Sequence, residues 1–530
     1  MDLVPSVATF RYDAHMKHHT SYLDTRGLDH SLPAFSRAVL NGIASGGGLY
    51  VPETMPQMSL AEITALSSRP YWQRAAVVFS LFGIDMDASV IEELAQQAYG
   101  AQWANSRIAP VVEVQPGTHV LELWHGPTGA FKDMALQCMP LLFSKSIQLS
   151  RERGETAENY LILVATSGDT GKAALEGFAN RDHTWIAVFY PAEGVSDIQR
   201  KQMVTQHGSN VCVLGVHGNF DDCQNTVKEL FGDEHFSSLL LDNHNLRLSS
   251  ANSINWGRLM PQIAYYVSAY SDMVASGGVK AGMPIDVCVP TGNFGNILAA
   301  YYAKLMGVPI DRLICASNEN NVLSDFIETG IYDISRRGFV KTPSPSMDIL
   351  ISSNLERLLY HLAGAEKVAR WMDELSSAKR FEVDHATFAA IHQTFVSGWV
   401  DNDTALSTIK RVFEAHKYLI DPHTAVAWEV AERMRGDNPV LVVSTAAWAK
   451  FGDDVLKALL EVPYEGSLPG QYRGLSGFET LAAVTSIAKG SAEVPTFLKD
   501  LESAEERFPE TVPAERASVE RALTSWLKEQ

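Results

Sequence analysis

The amino-acid sequence predicts an α/β protein built on parallel sheets, preceded by a mainly helical region. Two observations carry that expectation. From about residue 110 onward, short near-continuous apolar runs alternate with amphipathic stretches, the pattern of strands covered on both faces by crossover helices. Before about residue 100, apolar positions recur at helical spacing and are punctuated by glycine and proline. A chain of 530 residues is too long for one core and fits roughly three domains or subdomains. The expected divisions are 1–100, an N-terminal domain; 101–465, two interleaved α/β domains; and 466–530, a helical tail.

The elements follow in order. SLPAFSRAVLNGI and SVIEELAQQAYG read as helices of the N-terminal region. YLILVAT (160–166) reads as a buried strand, with a helix through KAALEGFA. TWIAVFYP with QRKQMVTQHG, NVCVLGVHG with DDCQNTVKELFG, IDVCVP with ILAAYYAKLMG, RLICAS with VLSDFIETG, and PVLVVST with DDVLKALLE repeat that unit. VPAERASVERALTSWLKEQ reads as a terminal surface helix.

Composition narrows the function. Hydrophobic residues make up 46% and charged residues 20%, an ordinary globular balance. Lys plus Arg is 43 against 62 for Asp plus Glu, a net charge of −19. So acidic a chain argues against binding nucleic acid or an anionic membrane, and an anionic ligand must be held by a local pocket. The five cysteines, Cys138, Cys212, Cys223, Cys288 and Cys315, lie at least eleven positions apart, with neither redox nor zinc spacing. No secretory signal or membrane-length apolar run is visible, so a cytoplasmic protein with a small-molecule substrate is expected, as monomer or homodimer.

In open α/β sheets, ligands bind beyond the carboxyl ends of strands, and three such junctions are chemically loaded. ATSGDTGKAAL (165–175) places small residues, Ser167 and Thr170 among them, at a helix start whose N–H groups suit a carboxylate or phosphate. A plain capped helix reads as well from the local signal alone. VPTGNFGNILAA (289–300) has the shape of a glycine-containing phosphate cradle, or of a simple turn. LWHGPTGAFKDMALQ leads into a helix beginning near Phe131, which puts Lys132 in its first turn. There the helix dipole and apolar neighbours should lower its pKa, as a Schiff-base lysine requires, although pairing with Asp133 is the commoner fate of a lysine.

Together these segments resemble threonine synthase, a pyridoxal-phosphate enzyme family of the tryptophan-synthase-β fold type, and most closely its longer bacterial and fungal members. HGPTGAFKDMALQ is similar to the family's cofactor-lysine segment, ATSGDTGKAA to its substrate loop and PTGNFGN to its phosphate cradle. ANSINWGRLMPQ (251–262), SMDILISSNLERL (346–358), DPHTAVAW (421–428) and VSTAAWAKF (443–451) match in the family's order, and SRAVLNGIASGGGLYVPETMP (36–56) resembles its N-terminal domain.

The resemblance implies a function and a set of roles. Lys132 would bind pyridoxal phosphate covalently and later move protons on the substrate. Gly292, Asn293, Phe294, Gly295 and Asn296 would wrap the cofactor phosphate, and Thr445 would meet the pyridine nitrogen. Ser167, Gly168, Asp169 and Thr170 would hold the substrate α-carboxylate. Ser253, Asn255 and Arg258 are candidates for the substrate phosphate, with Lys172 as another. The implied reaction converts O-phospho-L-homoserine and water to L-threonine and phosphate. Two alternatives use the same fold: a phospholyase releasing 2-oxobutyrate, and a cofactor-binding relative without turnover.

One departure is visible. Many members of the family have His-Pro after Ser-Thr-Ala, whereas here Ala447-Trp448 follow; this bears on substrate specificity more than on cofactor binding. No metal is expected. His15, His18 and His19 read as a solvated patch, and His423 as a structural residue at a helix start.

Overall fold

The computed structural model describes residues 20–193 and 195–529; the expected histidine patch at 15–19 lies outside them. Two separate sheets form the frame. The larger has six strands in the order Phe395–Trp399, Ile310–Ser317, Ile285–Pro290, Val440–Ser444, Thr118–Glu122 and Val111–Gln115. All of its pairings are parallel except the last, at the edge. The smaller has five parallel strands in the order Thr511–Pro513, Val211–His217, Thr184–Pro191, Asn159–Ala165 and Leu246–Ser249. The central strands are apolar and buried along nearly their whole length, because helices cover both faces.

Most of the smaller sheet is inserted in sequence between two strands of the larger one, Thr118–Glu122 and Ile285–Pro290, which Val440–Ser444 separates in space. The chain leaves the larger sheet after Glu122, builds most of the smaller, and returns at Ile285. This arrangement brings the carboxyl ends of Thr118–Glu122, Ile285–Pro290 and Val440–Ser444 side by side in the larger sheet. All three loops that follow carry residues singled out in the sequence.

The N-terminal region holds the helices Phe35–Asn41, Leu60–Ala65, Tyr71–Ser80 and Ala88–Ala98. It also holds an antiparallel pair, Tyr22–Asp24 with Tyr50–Pro52, which helical periodicity did not predict. The expected helix from Phe131 is two helices, Lys132–Leu136 and Met139–Glu152. Pro140 accounts for the break, since it has no N–H and its ring crowds the carbonyl four residues back.

The C-terminal segment is more than a surface helix. Helix Arg516–Lys528 buries Val519, Leu523 and Leu527 against the smaller sheet, and Thr511–Pro513 extends that sheet's edge. A strand of three residues has too little pattern to be read from sequence. Among the described residues, no helix is long and apolar enough to cross a membrane.

Candidate functional site

The site begins at Lys132, the first residue of its helix and almost completely buried. The turn before it is folded by Asp133, whose carboxylate accepts from Thr128 N at 2.9 Å and Thr128 Oγ1 at 2.7 Å. Phe131 N donates to Thr445 O at 2.8 Å, and Ala447 N donates to Gly129 O at 2.9 Å. The lysine segment is therefore laced to the loop after Val440–Ser444, with Thr445 beside it. Ala447 does this through its backbone, so the departure from His-Pro leaves the lacing intact. Trp448 is buried in an apolar cluster.

Lys132 Nζ lies 2.9 Å from Ser346 Oγ and 3.5 Å from Asp169 Oδ2. Asp169 in turn lies 2.7 Å from Lys450 Nζ and accepts from Gln199 Nε2 at 2.9 Å, both through Oδ1. Lys450 is fully buried and also donates to Thr128 O at 2.9 Å. Burial pulls the Lys132 amine down to about 8; Asp169 opposes the shift, and Arg258 and Lys450 add to it. Burial alone would push the Asp169 carboxyl up. Lys450 and Lys132 outweigh that and, with the hydrogen bonds from Lys450 and Gln199, hold it well below the usual carboxylate range. The result is a buried amine with a lowered pKa beside a fixed anion, the state a nucleophilic lysine needs.

Ser346 is itself held. Its backbone N–H donates to His423 Nε2 at 3.3 Å, so His423 Nδ1 carries the proton shared with Asp421 Oδ1 at 2.8 Å. Asp421 also caps helix Pro422–Arg433, the helix-start role expected for this segment. Asp348 anchors the same loop by accepting from Asn318 Nδ2, Asn320 Nδ2 and Thr342 Oγ1 at 2.7–2.9 Å.

The cradle follows strand Ile285–Pro290. Phe294 adopts φ +62°, an unusual conformation for a side-chain-bearing residue, and its buried ring packs 5.7 Å from Phe395. Gly295 and Asn296 open helix Gly295–Leu305, whose first N–H groups have no acceptors within the helix. Asn296 Oδ1 accepts from Tyr265 OH at 2.6 Å and Tyr266 OH at 2.5 Å, which turns Nδ2 the other way. That buried Nδ2 has no partner. An orphaned donor at a helix start fits a phosphate. A phosphate cradle alongside a buried nucleophilic amine fits a phosphorylated aldehyde cofactor.

Close packing explains one glycine. A Cβ on Gly292 would stand 2.8 Å from Ser346 O and 3.1 Å from Met347 Cα, both backbone atoms. Gly292→Ala is therefore expected to push the Ser346 loop away and weaken cofactor affinity by about tenfold, measured by titrating the apoprotein. Asn293 meets Ser353 through Oδ1 at 3.5 Å, and Ser353 meets Ser253 at 3.2 Å.

The remaining candidates divide. Gly168 has φ +134° and precedes helix Asp169–Phe178; only glycine adopts such a turn without strain. Ser167, Gln199 and Lys450 line a cavity of about 470 Å³ that also reaches Lys341, Asp454 and Tyr464. Thr170 is half-buried. Arg258 is buried, lowered to about 10 by that burial, and donates to Ala251 O at 2.7 Å. Asn255 caps helix Trp256–Ala275 by accepting from Gly257 N and donates to Val39 O, so its side chain is fully committed to structure. Lys172 is taken by Glu176 at 2.8 Å and by Gln206. Asp169 turns its carboxylate to the two lysines, so only its backbone N–H suits an anionic substrate. Lys450, Ser346 and Gln199 were not singled out from sequence, although Lys450 and Ser346 lie inside motifs that were.

Comparisons with known proteins give a consistent result. The family described as "Threonine synthase N terminus" matches residues 21–99, "Pyridoxal-phosphate dependent enzyme" residues 119–446, and "Threonine synthase, C-terminal" residues 424–523. Threonine synthase-like 1 of Homo sapiens is 44% identical over 80% of this chain, which spans 58% of that protein's length. The threonine synthase of Schizosaccharomyces pombe is 38% identical over 84% of this chain and 90% of its own. Among solved structures, PLP-bound threonine synthase from Brucella melitensis superposes with a TM-score of 0.82 at 36% identity, covering 96% of this chain and all of that one.

Proposed function

Because the chain belongs to the threonine synthase family of pyridoxal-phosphate enzymes, we propose that it converts O-phospho-L-homoserine and water to L-threonine and phosphate. The observation that carries this reading is the Lys132 amine, buried with its pKa lowered to about 8, beside the Gly292–Asn296 cradle and its orphaned donor. Bound pyridoxal phosphate supplies an electron sink for negative charge developing at the substrate α-carbon.

The protein's own residues do the rest. Lys132 Nζ holds the cofactor and, once freed, takes the proton from the substrate α-carbon and later returns one there. Ser346 Oγ, at 2.9 Å, fixes the direction of that amine. The backbone N–H groups of Ser167, Gly168, Asp169 and Thr170 receive the substrate carboxylate. Ser253 and Arg258 face the substrate phosphate, which leaves from the γ-carbon before water adds at the β-carbon. The carboxyl ends of the two sheets close over the substrate and keep water out until phosphate has gone.

One observation supports a second reading, a phospholyase that releases 2-oxobutyrate and phosphate: Ala447 offers a methyl group where many members of the family have histidine. Incubating the holoenzyme with O-phospho-L-homoserine decides between them. Threonine equimolar with phosphate is the expected result; a keto acid equimolar with phosphate selects the lyase; no turnover refutes this substrate for both.

A further inference from the structure

The geometry assigns Asn354 and Arg357 a positioning role: together they set the spacing between the cofactor-phosphate cradle and the substrate-phosphate loop, and they anchor both to the N-terminal domain. This rests on the reading of 292–296 as the cradle and of the loop around Ser253 as the substrate-phosphate loop.

Both residues sit at the start of helix Leu355–Ala363, and both are fully buried. Asn354 uses every arm of its amide. Nδ2 donates to Asn293 O and to Ser253 O, each at 3.1 Å, and Oδ1 accepts from Arg357 Nη1. Its backbone N–H donates to Asn293 O as well, at 3.1 Å. Asn293 follows a strand of the larger sheet and Ser253 a strand of the smaller, so one amide ties together loops carried by different sheets. Beside it, Ser352 Oγ donates to Gly292 O at 2.8 Å.

Arg357 extends the tie. Its Nη2 donates to Ile254 O at 2.5 Å, next to Ser253, and its Nε donates to Tyr50 O at 2.9 Å in the N-terminal domain. A guanidinium suits this task because its planar fork reaches three acceptors in fixed directions. The adjacent Glu356 accepts from Thr25 Oγ1 at 2.6 Å and from Arg26 at 2.9 and 3.0 Å, a second grip on the same domain. Burial makes these bonds expensive to break, since each partner would be left dry and unpaired. The bonds of these side chains all go to protein atoms, and through them the side chains act by fixing the two carbonyl-bearing loops.

Asn354→Asp tests the role. The carboxylate keeps, as an anion, the acceptor that Arg357 needs, but it cannot donate to Asn293 O or Ser253 O. We expect a lowered unfolding temperature, since Asn293 O and Ser253 O lose a buried donor, and beyond that a cofactor dissociation constant raised about tenfold and a KM for O-phospho-L-homoserine raised similarly with kcat changed much less. The phosphorus NMR signal of bound pyridoxal phosphate should also shift. A purely structural role predicts lower stability with an unchanged phosphorus signal and cofactor affinity, and that result overturns the proposal. Asn296→Ala is the control. If it too leaves cofactor affinity unchanged, the cradle reading fails and the proposal falls with it; if it alone weakens binding, the cradle stands and only the positioning role is lost. Should Asn354→Asp not fold, Arg357→Lys, which cannot reach all three acceptors, is expected to give the same phosphorus shift and KM effect, and their absence is equally fatal.

Discussion

Replacing Lys132 with alanine is expected to lower turnover by about four orders of magnitude or more, because in the proposed function one amine both holds the cofactor and moves protons on the substrate. Borohydride reduction of the wild-type holoenzyme, followed by peptide mapping, will find cofactor on Lys132 alone. Lys450 is the competitor to exclude, since it is also buried in the site. It is pinned at 2.7 Å by Asp169 and at 2.9 Å by Thr128 O, whereas Lys132 stands 3.5 Å from Asp169 and bonds only the Ser346 hydroxyl closely. Cofactor recovered on Lys450 would reverse the two roles. The amine must be neutral to attack an aldehyde, so loading of the apoprotein should accelerate as pH rises through about 8, not near the ordinary lysine value of 10.5. The sign for stability follows from the same shift. The folded state binds this proton more weakly than the unfolded one, so Lys132 costs stability below about pH 8, and the cost fades as pH rises toward 10.5.

Part of this site is legible in the sequence because the chemistry is written locally. Gly168, Gly292 and Gly295 sit at strand-to-helix junctions, where small residues and free N–H groups are visible as a string. Lys132 in the first turn of a helix announced a lowered pKa, although burial rather than the helix dipole turns out to be the largest cause. What stayed hidden is tertiary. Lys450 follows a strand by six residues, with nothing around it that differs from any other lysine. The neighbouring positions of Thr118–Glu122 and Val440–Ser444 in the larger sheet bring it to Thr128 O, and Asp169 meets it from the helix that follows a strand of the smaller sheet. Ser346 lies in a single short helical turn, Pro345–Met347, whose position depends on the bonds of Asp348 to Asn318 and Asn320 and on His423, all distant from it in the sequence. Asn255 and Lys172 failed in the opposite sense. Their residue types suit a phosphate, but a capping bond and an i,i+4 pair, both common local uses, had claimed them. The edge strand Thr511–Pro513 and the pair Tyr22–Asp24 with Tyr50–Pro52 are too short to carry alternation.

Asp169 and Lys450 make the strongest claim on stability. Asp169→Asn leaves two buried lysines facing each other without a counterion, and it is expected to cost about 3–5 kcal/mol in urea unfolding. It also removes the group that holds the Lys132 pKa up, so the pH profile of cofactor loading should move below about 8. Lys450→Met should cost a similar amount, because it leaves Asp169 with only the more distant Lys132. Its effect on the loading profile has the opposite sign, since Lys450 pushes Lys132 down. The double variant separates charge pairing from packing. With neither charge left alone, it should lose clearly less stability than the two single changes added together. Additive losses, or single variants that move the loading profile the same way, would mean that Asp169 and Lys450 act as separate fillers of the site rather than as the ion pair that sets the state of Lys132.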